Sequence, residues 1–207
     1  MRILIVDDDE EHIARFLWES DRLSKEKVGE YIALGKEYTN RVLEFFVQQL
    51  DFASMTFDQA LRKFLCDSNF RLPGEAQKID RLMTEFGRHF HSYEPKVFNS
   101  EDTAYILAFS TIMLNTDAHN PSVKRKMTIK DFLRNNSGID SGKNLPDEFL
   151  TKIYHSITQN EIKMKSADET KAVLEMMEGL EPVYFFFVYF ISCSPLFLIF
   201  SPSLAMI

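Results

Sequence analysis

Residues Ala104 to Leu114 read AYILAFSTIML, and nine of these eleven residues are apolar. A helix of this composition has no polar face to turn toward water, so it is either buried all round or offers its second face to a partner. The polar residues NTDAHNP follow at once, at 115–121. The sequence therefore predicts a central buried helix that gives way to a polar cluster, and the two together form a groove with a polar lip.

The sequence on either side of this helix carries apolar residues at helical spacing. The stripes are Val42, Phe45, Phe46 and Leu50; Phe57, Leu61, Phe64 and Leu65; and Ile79, Leu82, Met83, Phe86 and Phe90. Helix starts are indicated by Thr56 with Gln59, Thr128 with Asp131, Pro146 followed by Asp147 and Glu148, and Ser166 with Glu169. Glycine and proline number only seven each, and no alternating strands are bounded by hairpin turns. These patterns predict an all-α fold of about nine or ten helices.

Composition limits the classes of function. Of the 207 residues, 45% are apolar and 27% are charged, which suits one globular domain, with or without a short appendage, and excludes two large ones. The formal net charge is −7, and this acidic balance argues against a protein that binds nucleic acid. The two cysteines, Cys66 and Cys193, are too few for a disulfide framework or a cysteine zinc site, so a reducing compartment is expected.

The last 26 residues, 182–207, read PVYFFFVYFISCSPLFLIFSPSLAMI and contain no charged residue and no histidine. Such a run is long enough to cross a hydrocarbon core of about 30 Å, although Pro195 and Pro202 divide it into shorter pieces. Three explanations stay open: a membrane anchor, a translated non-coding end on a truncated larger protein, or a core segment of a missing domain. The first of these predicts membrane contact through the tail.

Two segments carry side chains of chemical interest. Residues 70–75 read FRLPGE, where Pro and Gly break one helix before the next stripe, so Glu75 falls in a loop or a first helical turn. Asp117 and His119 have the spacing of a metal pair, yet no third ligand accompanies them, so neither a metal site nor a cofactor is expected. A hydrolase that uses this pair is a remote alternative. Since no nucleophile elbow, P-loop, zinc-protease or dinucleotide motif occurs, we expect no covalent chemistry.

Two stretches resemble the signature motifs of the Sec-seven domain family, the guanine-nucleotide exchange factors for ADP-ribosylation factor (Arf) GTPases. They are FRLPGEAQKIDR at 70–81 and DTAYILAFSTIMLNTDAHNPSVKRKMT at 102–128. The resemblance continues through DFLRNN, GIDSGKNLPDEFL and NEIKMK, and upstream through IARFLWESDRLSKEKVGEY, so that it covers residues 10–166. It implies a right-handed superhelix of about ten α-helices, in agreement with the helix count above. The remaining segments are an N-terminal stub at 1–9, an extra helix or linker at 167–181, and the hydrophobic tail at 182–207.

The resemblance also gives the loop carboxylate a role. In these exchange factors a glutamate that matches Glu75 enters the nucleotide site of the GTPase, displaces Mg²⁺ and repels the β-phosphate of GDP, without making or breaking a bond. The long helix and its polar lip then receive the switch regions of an Arf-family small GTPase. The partner-binding residues implied by position are Asp80, Asp102, Phe109, Ile112, Met113, Asn115, Asp117, Asn120 and Met127.

Details within the second motif resemble the large, brefeldin A-inhibited Golgi branch of the family. Ser110, Asp117 and Met127 follow its pattern, whereas Phe109 stands where Tyr is usual. The resemblance thus implies a cytoplasmic protein that is peripheral on Golgi or endosomal membranes and acts in vesicle-mediated transport. One departure supports an alternative: the link between Leu65 and Phe70 is longer than in the family. If this link misplaces Glu75, the domain is a non-catalytic module that only binds the GTPase.

Overall fold

The structure, a computed structural model, describes residues 9–94 and 97–163, and every regular element within these ranges is helical. The helices are α1 (Glu10–Glu19), α2 (Lys25–Ile32), α3 (Glu37–Gln48), α4 (Phe57–Arg62), α5 (Ala76–Tyr93), α6 (Glu101–His119), α7 (Ile129–Asn135) and α8 (Asp147–Gln159), and a π-helical turn at Lys63–Asp67 continues α4. The predicted all-α class is confirmed for this part of the chain. The predicted helix start at Ser166, the N-terminal stub up to residue 8 and the hydrophobic tail lie outside the described residues.

Local sequence signals fix where several of these helices begin. Thr56 and Gln59 form the predicted capping box at the start of α4, and Thr128 and Asp131 form the one at the start of α7. Side chains also cap α1, α2 and α6; these are Asp9, Ser24 and Ser100. Each cap satisfies a backbone amide that the first turn cannot bond internally.

Phenylalanine rings fill the centre of the fold. The ring of Phe86 on α5 lies 5.1 Å from that of Phe64 and 6.0 Å from that of Phe57, measured between centroids. Phe90, one helical turn later, lies 5.1 Å from Phe57 and 5.8 Å from Phe98. Such ring pairs contribute about 0.5–1.5 kcal/mol each beyond the burial of their area. The apolar stripe predicted for α5 is therefore the seam of the core.

Helices α5 and α6 form the central pair, and they carry the two motifs of the sequence. α3 packs on α5 and α8 packs on α6. On the outside, α1 packs on α3 and α7 packs on α8. The central pair lies close together at Gly87, where an added Cβ would be 3.0 Å from the backbone nitrogen of Tyr105. Because both motifs sit on this tightly packed pair, their relative position is fixed by the core.

The structure corrects the end of the long helix. Instead of stopping at Leu114, α6 continues through the polar cluster to His119. The side chains of Asn115 and His119 bond backbone groups of Ile162 and Ile157. Since these partners satisfy the polar groups inside the fold, the cluster does not need to form a loop. Although α6 is long, no helix in the described part of the chain combines the length and apolarity that a membrane span requires.

Candidate functional site

Glu75 lies where the buried backbone of the first motif reaches the surface. Leu72 and Pro73 are buried, whereas Gly74 and Glu75 are exposed. Glu75 occupies the N-cap position of α5, but its side chain makes no capping hydrogen bond. The side chain is 70% exposed, and its Oε1 lies 2.7 Å from Nζ of Lys78. The carboxylate therefore faces solvent and is not folded back onto the amides of its own helix.

A hydrogen bond connects the start of α5 with α6. The hydroxyl of Tyr105 donates to Oδ1 of Asp80 at 2.7 Å, and the Tyr105 ring lies edge-on to Phe109 at 5.0 Å. Asp80 follows Glu75 by five residues, or about 7–8 Å along the helix axis. Tyr105 is absent from the predicted site. Its position four residues before Phe109 was the signal that could have identified it, because residues at this spacing share a helix face.

Most of the predicted partner-binding residues of α6 share one stripe of the helix, because they follow one another at intervals of three or four residues or multiples of a turn. This α6 stripe consists of Asp102, Tyr105, Phe109, Ile112, Met113, Asp117 and Asn120. Asp102 and Asn120, at its two ends, are exposed, and Met113 is half-buried. Phe109 and Ile112 are only 3% and 1% exposed, so they form the floor of the stripe rather than its open surface.

A second group of contacts fixes the C-terminal end of the α6 stripe. Oδ2 of Asp117 accepts a hydrogen bond from the Met127 amide at 2.6 Å, and the Tyr154 hydroxyl donates to the Met127 carbonyl at 2.8 Å. Nζ of Lys126 donates to the carbonyl oxygens of Asp117 and Asn120 at 2.7 and 2.6 Å. Burial raises the pKa of Tyr154, and the negative charge of Asp117 adds to this effect. The loop between α6 and α7 is thus bonded to the end of α6, and Met127 is held beside Asp117.

Asn115 does not join the other predicted residues. It lies about 120° around α6 from Phe109 and is 5% exposed. Its Nδ2 donates to the Ile162 carbonyl at 3.1 Å, and its Oδ1 accepts from the Ile162 amide at 2.7 Å. Both ends of the side-chain amide are therefore used within the fold, which leaves none for a partner.

Asp117 and His119, the pair that suggested a metal or hydrolase site, also face different partners. Nε2 of His119 lies 2.8 Å from the Ile157 carbonyl, whereas the Asp117 carboxylate bonds Met127. Within residues 9–94 and 97–163, no group of three or more His, Cys, Asp or Glu side chains is arranged to hold a metal ion. The arrangement of this pair therefore gives no support to the hydrolase alternative.

The link between Leu65 and Phe70, which the sequence predicts to be longer than in the family, makes specific contacts. It begins within the π-helical turn at Lys63–Asp67, and Ser68 is fully buried with its hydroxyl bonded to the Phe64 carbonyl. Nδ2 of Asn69 then donates to two carbonyl oxygens at the end of α1, those of Leu17 at 2.8 Å and Ser20 at 3.1 Å. The chain therefore enters the Glu75 loop from an anchored position.

Comparison with known proteins relates this arrangement to one family. Residues 1–162 match the family model described as Sec7 domain. The chain is 51% identical over 164 residues to the ankyrin repeat, PH and SEC7 domain containing protein secG of Dictyostelium discoideum. This match covers 78% of this chain and 16% of that protein. It is 51% identical over 160 residues to brefeldin A-inhibited guanine nucleotide-exchange protein 3 of Arabidopsis thaliana. This match covers 77% of this chain and 9% of that protein. The chain thus spans less than a fifth of the length of these relatives.

A solved structure shows a similar fold. It is described as ARF1-GDP bound to a Sec7 domain complexed with brefeldin A, and the superposition gives a TM-score of 0.66 at 37% sequence identity. The match covers 76% of this chain and 79% of the other.

Proposed function

The chain belongs to the Sec7 domain family, and on this premise we propose that its helical domain promotes the release of GDP from an Arf-family small GTPase. Glu75 is the residue that acts on the nucleotide site, and the α6 stripe, with Asp80 and Met127, is the surface that binds the GTPase. The exchange involves no covalent chemistry, because the GTPase, its nucleotide and Mg²⁺ only dissociate and rebind.

The single observation that carries this proposal is the exposure of Glu75. The carboxylate stands at the tip of a loop whose preceding residues, from Ser68 to Pro73, are mostly buried or bonded. It makes no capping hydrogen bond to α5, and its ion pair with Lys78 is open to solvent on the Glu75 side. A carboxylate in this position is free to be taken up by a cationic site on another protein.

Elementary electrostatics explains how one such group releases a nucleotide. GDP is held by phosphate oxygens and a Mg²⁺ ion in a small site, and a carboxylate inserted there attracts the metal and repels the phosphate. Two unit charges 4 Å apart interact by about 4 kcal/mol at an effective dielectric constant near 20. An effect of that size on the barrier changes a rate by about a thousandfold. The charge of Glu75 alone is therefore sufficient for a large acceleration.

The α6 stripe supplies the attachment that such an insertion requires. A charged group contributes to a complex only when apolar contacts hold the partner in register. The stripe offers half-buried Met113 and Tyr105 above the floor made by Phe109 and Ile112, with exposed Asp102 at one end. A partner bound along this stripe would lie next to Asp80 and within about two helical turns of Glu75.

We further propose that the chain acts as a peripheral protein on Golgi or endosomal membranes, where it regulates vesicle transport. This location and sensitivity to brefeldin A are suggested by the resemblance of Ser110, Asp117 and Met127 to the brefeldin A-inhibited branch. Membrane contact through residues 182–207 concerns a segment outside the described residues.

The proposal is tested by loading an Arf-family GTPase with fluorescent GDP and measuring release in the presence of the chain. The wild type should accelerate release, and Glu75→Lys should reduce the acceleration by at least about 100-fold because the sign of the inserted charge is reversed. Binding to the nucleotide-free GTPase, measured on a sensor surface, should be retained by Glu75→Lys.

Glu148→Lys is the matched control. Glu148 is also an exposed carboxylate near a helix start, and its ion pair with Lys152 has the same 2.7 Å separation as that of Glu75 with Lys78. This variant should release GDP at the wild-type rate. If the wild type binds the GTPase but leaves the release rate unchanged, the domain is the non-catalytic binding module instead.

A further inference from the structure

Helix α2 lies directly against the backbone that leads to Glu75. Gly29, in the interior of α2, faces the backbone of Arg71: a Cβ added to Gly29 would lie 1.9 Å from the Arg71 carbonyl oxygen. Real Cβ atoms essentially never approach another heavy atom closer than 3.0 Å. Any larger residue at position 29 would therefore have to move the two backbones apart by about 1 Å, because close-packed interiors leave no spare room.

No other feature of Gly29 requires glycine. The described glycines with a positive φ angle are Gly35, Gly138 and Gly142, so Gly29 has a conformation that alanine adopts without strain. Within a helix, glycine is about 0.5–1 kcal/mol less stable than alanine. Glycine at position 29 therefore makes the eight-residue helix α2 (Lys25–Ile32) less stable than alanine would. The close approach of the Arg71 backbone is the structural reason for a glycine there.

Hydrogen bonds attach α2 to the chain on both sides of Glu75. Before Glu75, the Arg71 amide donates to the Lys25 carbonyl at 3.0 Å. After it, Nη1 of Arg81 donates to the Ala33 carbonyl at the end of α2, also at 3.0 Å. The segment that contains Glu75 is thus held at two points to one helix, ten residues apart along the chain.

We infer that α2 sets the position of Glu75, and that Gly29 is a positioning residue for nucleotide exchange. This inference rests on the function proposed for Glu75. Gly29 acts through the backbone of Arg71 and does not need to touch the GTPase. Because only Gly74 lies between the buried Pro73 and Glu75, a shift at Arg71 is transmitted to the carboxylate over a short distance.

The expected effect follows from the size of the displacement. A misplacement of about 1 Å in a group that must enter a preformed site can lower a rate by about 100-fold. Gly29→Ala should therefore lower the maximal rate of GDP release by about 10- to 100-fold. The concentration of the chain that gives the half-maximal rate should stay within about twofold, because the α6 stripe is untouched.

The control is Arg62→Met, which destabilises the fold at the C-terminal end of α8 rather than at α2. It removes the hydrogen bonds that the Arg62 guanidinium donates to the carbonyl oxygens of Asn160 and Glu161. Rates would be measured on the full chain and divided by the folded fraction from circular dichroism. Arg62→Met should keep the wild-type rate per folded molecule, whereas Gly29→Ala should not. Hydrogen exchange should show lost protection of the Arg71 amide in Gly29→Ala alone.

A double substitution separates positioning from general damage. In a Glu75→Ala background the residual release does not use the carboxylate, so adding Gly29→Ala should cause no further loss per folded molecule. If the loss instead adds in full, or if Gly29→Ala and Arg62→Met lower the rate per folded molecule equally, the inference is overturned. If Glu75→Lys releases GDP as fast as the wild type, the proposed function fails whatever Gly29 does.

Asn69→Ala provides a second route, in case Gly29→Ala does not fold. It removes the bonds to the Leu17 and Ser20 carbonyls and loosens the same loop without crowding it. Release should fall by at least about threefold with unchanged half-maximal concentration, since entry to the loop is no longer fixed. A wild-type rate in Asn69→Ala, together with an unfolded Gly29→Ala, would reject positioning of Glu75 through this loop.

Discussion

Replacing Asn115 by alanine tests whether this residue serves the fold or a partner. Family position suggests a role in the partner-binding groove, whereas the structure shows its amide paired with the backbone of Ile162 through bonds of 3.1 and 2.7 Å. Asn115→Ala removes both hydrogen bonds. The backbone N–H and C=O of Ile162, a residue that is only 2% exposed, are then left without their partner. We therefore expect a loss of stability and an unchanged affinity of the folded protein for the GTPase.

The magnitude follows from the two backbone groups that lose their partners. Each buried polar group left unsatisfied costs about 1–3 kcal/mol, so the loss of both partners should lower the free energy of unfolding by about 2–6 kcal/mol. In a domain of this size each kcal/mol shifts the thermal midpoint by about 2–4 °C, and the midpoint should thus fall by about 5–25 °C. The effect is large because Ile162 lies 47 residues from Asn115 and the pair joins two distant parts of the chain.

The assay is thermal unfolding by circular dichroism, with affinity for the nucleotide-free GTPase measured below the transition of the variant. Asn120→Ala is the control, since Asn120 is exposed and its Oδ1 accepts only the nearby Ser122 amide. It should cost less than about 1 kcal/mol of stability and weaken GTPase binding. An Asn115→Ala variant with the wild-type midpoint and reduced affinity would refute the structural role of this amide.

Two further predictions concern stability. Arg62→Met should lower the free energy of unfolding by about 1–3 kcal/mol in urea titrations, because the guanidinium donates hydrogen bonds to the carbonyl oxygens of residues 156, 160 and 161. The control is Arg41→Met, which removes an ion pair between exposed Arg41 and Glu10. It should change the free energy of unfolding by less than about 0.5 kcal/mol. Thr128→Ala should cost about 0.5–2 kcal/mol at neutral pH. Since the Thr128 hydroxyl and amide hold the pKa of Asp131 below its ordinary value of 3.8, this contribution is complete above pH 3.8 and is lost as the pH falls through the lower folded-state pKa. In acid unfolding curves the gap between wild type and Thr128→Ala should therefore narrow below pH 3.8, although the cap that the Thr128 hydroxyl provides to the Asp131 amide remains; a gap that stays constant would contradict the role of the carboxylate.

The helical class was predictable because its signals are local. The pairs Thr56 with Gln59 and Thr128 with Asp131 need only three residues of spacing to form a capping box, and both form as predicted. Apolar stripes such as that of α5 are also local, since helical periodicity alone decides which residues share a face. These features depend little on where the rest of the chain lies.

The end of α6 was not predictable from the same kind of signal. A run of polar residues after Leu114 is typical of a loop, but Asn115 and His119 find backbone partners 47 and 38 residues away, at Ile162 and Ile157. Sequence patterns do not show such long-range bonds. Even when α6 is known to continue, spacing alone does not exclude Asn115 from the groove, because it follows Ile112 by three residues. Its bonds to Ile162 are what assign it to the fold.

The link before the first motif presents the same limit. Its extra length indicates a change near Glu75 but not its direction. In the structure this link begins in a π-helical turn, and the Asn69 side chain is hydrogen-bonded to the end of α1. Neither a π-helical turn nor a side-chain hydrogen bond to a helix about 50 residues earlier has a sequence signature of its own. The exchange assay with the wild type and Glu75→Lys decides whether Glu75 is placed to act.

The ion pair between Glu75 and Lys78 opposes the insertion of the Glu75 carboxylate into a site on a partner. The pair is 2.7 Å apart, but the Glu75 side chain is 70% exposed, and pairs this open contribute about 0.2–1 kcal/mol. That is small beside the roughly 4 kcal/mol available to a carboxylate near a charged site. Lys78, only 16% exposed, would remain behind as a cation. Its charge is not isolated, because it also acts on Glu30 of α2, whose pKa is lowered first by the hydrogen bond from Lys27 and further by the charges of Lys27 and Lys78. Because the Glu75 side of the pair is open to solvent, the carboxylate can leave Lys78 at this small cost in free energy.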